Sequence, residues 1–357
     1  MIQVWNNFLQ EKELRNFEKA FWNQYIMEGP VLIEFQNRLR DILGVKYAIG
    51  VTSGSAALAL ALMGIGIKPN DEVIVPDLTF IATANAAYLL GAKVVLAPTE
   101  KERPIIDLDL VDKLITDKTK AIITVDLNGR ISWSRELKEK YGKQGIYIVD
   151  DACQAFMSGS TDERAGTQAD IGCFSFGITK TLSTINGGLV VTNNKELYEK
   201  MKIMKTQGME SVFEGDSYRY PGFNFKLVDG LAAIGLEQLE RLDDKIRHMT
   251  MIDEMYRSEL KHIEGIDFIP KRQHEFMWMS DIVCRDRDQV RKVLKEHDII
   301  SRPLGSPLHT APFLEAQADY RYADNMQKKL LSLPSGPNQD LKNVEQVINV
   351  LKNSRLY

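Results

Sequence analysis

Short runs of branched apolar residues recur along the first half of the chain, each followed by a longer stretch with helical spacing. The runs are YAIGV, EVIVP, KVVLAP, KAIITVD and IYIVD; SAALALALMGIG, FIATANAAYLLG and segments 107–117 and 133–143 lie between them. Continuous Val/Ile runs alternating with helical patterns predict a parallel sheet covered on both faces. GCFSF and GGLVVT extend that sheet, and a helix near 195–206 covers it. The predicted fold class is α/β, with a large, doubly wound, mostly parallel sheet.

The order changes after Gly208, where the loop GMESVFEGDSYRYPG precedes a helical pattern running from about Leu227 to Leu260. Leu231, Ile234, Leu239 and Leu242 recur there at helical spacing, which marks a connector into a second unit. Strands near FIP, SDIVC and SRPL and a final helix after LSLP predict a smaller C-terminal α+β domain. The expected division is residues 1–240 and 241–357.

With 357 residues, 44% hydrophobic and 26% charged, the chain has enough apolar material for more than one core. Its net charge of −4, with Lys and Arg scattered, gives no reason to expect a nucleic-acid partner, and none is expected. No apolar segment reaches membrane-spanning length, and MIQVWNNFLQEKELRNFEKAF lacks the pattern of a signal peptide, so no membrane association and a cytoplasmic location are expected. Cys153, Cys173 and Cys284 show no CxxC spacing and read as structural hydrophobes, and the five dispersed histidines give no metal-ligand pattern.

Chemistry concentrates in VDDACQA (149–155) and DIGCFSFGITKTLSTINGG (170–188). Asp151 closes one strand run, Ser175 ends another, and Lys180 follows in a polar turn before a GG-led strand. A pyridoxal 5'-phosphate site needs a lysine to hold the aldehyde as a Schiff base, a carboxylate to keep the pyridine nitrogen protonated, and hydroxyls and amides for the phosphate. All three are present. Burial would lower the pKa of Lys180 and make it a proton carrier. Asp151 has a second reading, as a helix N-cap. Asp150 points to the opposite face, since strand side chains alternate, while Gln154 is placed to reach the cofactor's ring oxygen. In VTSGSAAL, Gly54 allows close backbone approach, and the amides of Ser55 and Ala56 open a helix N-terminus suited to an anion. Phe80, just past a strand end, is placed to stack on a planar ring or to fill core. GIGIKP (64–69) ends a helix and lacks a third glycine, which excludes a dinucleotide site there.

SGSAAL, VPDLTFIATANA, VDDACQA, SFGITK, GFNFKLVDGLAAIGLEQLERL, PLHTAP and LSLP occur in this order across nearly the whole chain. In this the chain resembles the DegT/DnrJ/EryC1/StrS family of pyridoxal-phosphate-dependent sugar aminotransferases, of fold type I. The resemblance implies a Schiff base on Lys180, a pyridinium contact from Asp151, ring stacking by Phe80 and a contact from Gln154. It also implies phosphate contacts from Gly54, Ser55, Ala56 and Ser175. Asn224 matches the asparagine that in the family reaches the neighbouring subunit's phosphate, so a homodimer with shared sites is implied.

The chain departs from the family pattern near the expected substrate pocket. Asn128 and Arg130 stand where VHLYGQ is common, Ile185-Asn186 precede the Gly pair where GEGG is common, Lys226 replaces a frequent arginine, and Gly177 replaces a larger residue. The expected reaction moves an amino group from an amino acid, with L-glutamate the expected donor, to a nucleotide-linked keto-sugar on the way to a polysaccharide or other glycoconjugate. A keto-sugar acid or phosphorylated ketone is the alternative substrate, with Arg130 as anion partner. A non-catalytic regulator of the same fold is the rival of another class. A dehydratase is disfavoured, because that branch carries histidine where this chain has Lys180.

Overall fold

Seven short strands form the main sheet of the computed structural model, which describes residues 1–6, 9–22, 28–210, 217–354 and 356. They are β1 (Tyr47–Val51), β2 (Glu72–Pro76), β3 (Lys93–Ala97), β4 (Thr119–Val125), β5 (Tyr147–Asp151), β6 (Ile171–Ser175) and β7 (Gly188–Thr192), in the order β1-β7-β6-β5-β4-β2-β3. Alternate residues serve opposite faces. Val73, Val75, Ile123 and Val149 pack on one side, and Ile74, Ile122 and Ile148 on the other. That explains why the strands read as unbroken apolar runs. The helix Gly54–Ile65 fills the first face; its Leu58, Leu60 and Leu62 are almost wholly buried, each contributing about 1.5–3 kcal/mol relative to exposure.

Only β7 runs against the others, pairing antiparallel with both β1 and β6. The sequence carries the reason. Residues 176–187 contain no helix, and a parallel return needs a longer crossover. Three further expectations require correction. The helical pattern of 227–260 is two helices, Asp229–Glu240 and Leu242–Leu260, broken at Arg241, whose guanidinium pairs with the buried Glu13. The 107–117 helix shortens to Leu108–Val111 with a 3-10 turn at Asp112–Leu114. The strand expected at FIP lies two residues earlier, at Ile266–Asp267. Part of the loop expected at 208–222, residues 211–216, lies outside the described residues.

The second sheet is antiparallel: β8 (Ile266–Asp267), β9 (Asp281–Cys284), β10 (Arg302–Pro303) and β11 (Leu330–Ser332), in the order β10-β11-β9-β8. Helices Leu242–Leu260, Arg287–Glu296 and Leu341–Asn353 pack against it through Ile252, Tyr256, Val290, Leu294 and Val344. Ile2 joins this same core, and residues 2 and 5 form bridges with Ile299 and Ser335.

Candidate active site

Strand register brings the predicted residues to one rim of the main sheet. Asp151, last in β5, lies between Val125 of β4 and Cys173 of β6; Ser175, last in β6, lies opposite Gly188, which in turn lies opposite Val51 at the end of β1. Asp151 is buried. It accepts hydrogen bonds from Thr83 Oγ1 at 2.7 Å and from the Cys153 N–H at 3.2 Å, both neutral donors. Among the described residues it makes no ion pair. No helix follows it, so the N-cap reading falls. Asp150 turns the other way, to Thr124 Oγ1 and the Gly166 N–H, and burial raises its pKa to about 6.

Lys180 lies in the turn between β6 and β7. Its Nζ sits 4.0 Å above the ring of Trp278, and the Trp278 Nε1–H donates to the Thr179 carbonyl at 2.7 Å. The second unit thereby grips the lysine turn. Burial, assisted by the positive charge of Arg302, lowers the pKa of Lys180, while Cys153 and Asp151 act in the opposite sense.

Gly54, Ser175 and Cys153 meet at the start of helix Gly54–Ile65. A Cβ on Gly54 would lie 2.7 Å from Cys153 Sγ and 2.8 Å from Ser175 Cβ, so only glycine permits this approach. Gly188 packs beneath, where a Cβ would come within 2.4 Å of the Ser53 carbonyl oxygen. Ser53 caps the helix, its hydroxyl accepting from the Ala56 N–H at 3.1 Å. The Ala56 amide is therefore occupied within the chain, leaving those of Gly54 and Ser55 without intrahelical acceptors beside the Ser175 hydroxyl. Asn224 is exposed near the end of β1, beside Phe225, whose carbonyl accepts from the Thr52 N–H at 3.0 Å.

A cavity of about 260 Å³ separates this rim from the second sheet, bordered by Phe80, Gln154, Trp278, Arg302 and Ser332 among others. Phe80 is 60% exposed and thus available for stacking, while Gln154 Oε1 accepts from the Asn128 N–H at 3.1 Å. Arg130 is not available to a substrate as expected. It is wholly buried and pairs with Asp281 at 2.6 Å. Asn128, at φ 54°, bonds the N–H and C=O of Met279 at 2.7 and 2.9 Å and Asp281 Oδ2 at 2.8 Å. Asn128 and Arg130 thus fasten the two sheets together. Trp278, Asp281 and Arg302 were missed in the sequence; the aromatic and charged residues in WMSD and SRP are their only signal.

The fit to pyridoxal phosphate rests on these observations. A buried carboxylate hydrogen-bonded by neutral donors suits a protonated ring nitrogen, a lysine of lowered pKa suits an aldehyde, and uncapped amides beside a hydroxyl suit a phosphate. No described helix is long and apolar enough to cross a membrane, and no described His, Cys, Asp or Glu cluster could hold a metal ion.

Comparison with known proteins agrees. The model of the DegT/DnrJ/EryC1/StrS aminotransferase family matches residues 7–352. GDP-perosamine synthase of Escherichia coli O157:H7 is 33% identical over 354 residues, covering 98% of this chain and 96% of its own. GDP-perosamine synthase of Caulobacter vibrioides is 33% identical over 336 residues, 90% of each. The solved structure of DesV from S. venezuelae superposes with a TM-score of 0.90 at 28% identity, covering 95% of this chain and 93% of its own.

Proposed function

We propose, from the premise that the chain belongs to the DegT/DnrJ/EryC1/StrS aminotransferase family, that Lys180 and Asp151 carry its reaction and that its acceptor is a nucleotide-linked keto-sugar. The enzyme is a pyridoxal-phosphate-dependent sugar aminotransferase. The two GDP-perosamine synthases, alike along nearly their whole length, support a GDP-linked acceptor and a role in polysaccharide synthesis. L-Glutamate is the donor we assign.

The observation that carries the catalytic reading is the buried Asp151, whose hydrogen bonds come from the neutral donors Thr83 and Cys153 and whose charge is felt at Lys180. Pyridoxal phosphate, when bound, supplies an aldehyde for the donor's amine and a ring that takes up the electron pair released when a C–H proton leaves. Lys180 Nζ would hold that aldehyde at rest. Freed by the donor's amine, the same nitrogen would serve as the base that takes the proton from the donor carbon and as the acid that returns it. Asp151 keeps the ring nitrogen protonated, an interaction that strengthens as negative charge develops. With the cofactor bound, Phe80 would stack on the ring, Gln154 would meet the ring oxygen, and Gly54, Ser55 and Ser175 would hold the phosphate, the Ala56 amide being taken by the Ser53 cap. In the second half-reaction the steps run backwards on the keto-sugar.

In this reading residues 1–240 carry the cofactor and residues 241–357 close over it, with residues 2 and 5 packed against the second unit. The protein is a homodimer in which Asn224 completes the partner's phosphate site. It works in the cytoplasm, a reading supported by three free cysteines. The test is spectroscopic. The cofactor band of the purified enzyme should change on adding L-glutamate and be restored by one member of a panel of GDP- and UDP-linked keto-sugars. A band that no amino acid changes, or that no keto-sugar restores, overturns the proposal.

A further inference from the structure

We infer that Arg302 binds the carboxylate of the amino donor, the one adjacent to the amine that is transferred. This assignment deepens the aminotransferase reading and rests on it. Three charged side chains border the cavity: Arg130, Asp281 and Arg302. Arg130 and Asp281 neutralise each other, and the second Asp281 oxygen is taken by Asn128. The Arg302 guanidinium makes no ion pair or hydrogen bond to any described residue. One positive charge is left uncompensated on a wall otherwise rich in apolar groups such as Leu78, Ile81 and Leu127.

The second sheet sets its direction. Arg302 of β10 lies opposite Ser332 of β11, which lies opposite Asp281 of β9. Directly opposed residues in antiparallel strands share a face, and all three of these border the cavity. Asp281 is engaged by the main sheet, so Arg302 and Ser332 remain to meet a ligand.

Chemistry selects the ligand. A guanidinium matches a carboxylate with two parallel hydrogen bonds. In an α-amino acid the carboxylate carbon lies about 2.5 Å from the amine nitrogen, so its receptor must stand close to the point of transfer. Arg302 borders the same cavity as Trp278, which carries the Lys180 amine 4.0 Å above its ring. The charge of Arg302 is felt at Lys180. A phosphate joined through a sugar's anomeric carbon is separated from the keto carbon by ring atoms and the glycosidic oxygen, stands farther from the point of transfer than an α-carboxylate, and is less well placed for this cation.

The experiment compares wild-type holoenzyme with Arg302→Gln and Arg302→Lys in each half-reaction separately. The donor half uses L-glutamate and 4-aminobutyrate, which is glutamate without the α-carboxylate. The acceptor half starts from enzyme loaded with the aminated cofactor. Binding is measured independently with 2-methylglutamate, which has no α-hydrogen to lose. Arg302→Gln should reduce the preference for glutamate over 4-aminobutyrate on the order of 10- to 100-fold, the size expected for hydrogen bonds to a charged group. It should weaken 2-methylglutamate binding in parallel, with Arg302→Lys intermediate and the acceptor half nearly unchanged. An unchanged donor preference overturns the assignment, and so does an equal loss in both halves, which would place Arg302 on the sugar phosphate or in a structural role. Failure of the aminotransferase reading itself would show separately, as a wild-type cofactor band that no amino acid alters.

Discussion

At Lys180 two physical demands oppose each other. The face of Trp278 attracts an ammonium, while burial and Arg302 favour the neutral amine. The result is a lysine that sheds its proton below the ordinary lysine range. Because its folded pKa is depressed, the unfolded chain binds more protons between the folded value and the ordinary one, and stability rises with pH across that window. Urea unfolding of cofactor-free protein at several pH values should show this slope, and Lys180→Met should flatten it. Lys180→Ala should abolish turnover in a folded protein that still binds cofactor; appreciable transamination by that variant would remove the lysine from the mechanism. Asp151→Asn should cost about a hundredfold or more in turnover, with a smaller effect on cofactor affinity, because its interaction grows toward the transition state. Near-normal single-turnover rates would reduce Asp151 to a partner of Thr83.

Between elements, the decisive contacts are a few backbone approaches. At Gly188 an added methyl group would press on Ser53 at the mouth of the helix Gly54–Ile65. Gly188→Ala should weaken pyridoxal phosphate binding by about tenfold or more, given the usual cost of overpacking. Equilibrium titration of the cofactor checks this, and unchanged affinity would remove the helix mouth from the phosphate cradle. Asn128→Ala strands the N–H and C=O of Met279 and should destabilise the fold by about 2 kcal/mol or more in urea unfolding. Asn128→Gly, which accepts the positive φ, should not rescue it. How far the sequence shows these parts follows from their form. Asp151, Ser175 and Gly54 stand at the ends of apolar runs or at a strand-to-helix turn, where local pattern marks them. Arg302 sits in a two-residue strand with no periodicity, and its meaning comes from register across three strands. Arg130 looked available because its partner Asp281 lies 151 positions away. The short connection before β7 explains its antiparallel pairing, which the sequence pattern does not assign, while the break at Arg241 depends on a contact with Glu13 that no local pattern reveals.

At the scale of the molecule, the exposed Asn224 leads to a test of shared sites. If it acts across a two-fold interface, mixing Asn224→Ala and Lys180→Ala chains yields a dimer with one doubly damaged site and one intact site. Activity at limiting cofactor should then exceed that of either parent. No gain, with subunit exchange verified, would place Asn224 in its own chain's site or outside any site. The bridges from residues 2 and 5 to residues 299 and 335 set a different condition, one of timing. On the ribosome residues 2 and 5 emerge before their pairing partners, which follow roughly 300 residues later, about 15–60 s at ordinary synthesis rates. The main sheet can assemble during that interval while the leading segment stays unpaired. Nascent chains stalled before residue 299 should therefore be cut by protease near Trp5, and released full-length chains should resist.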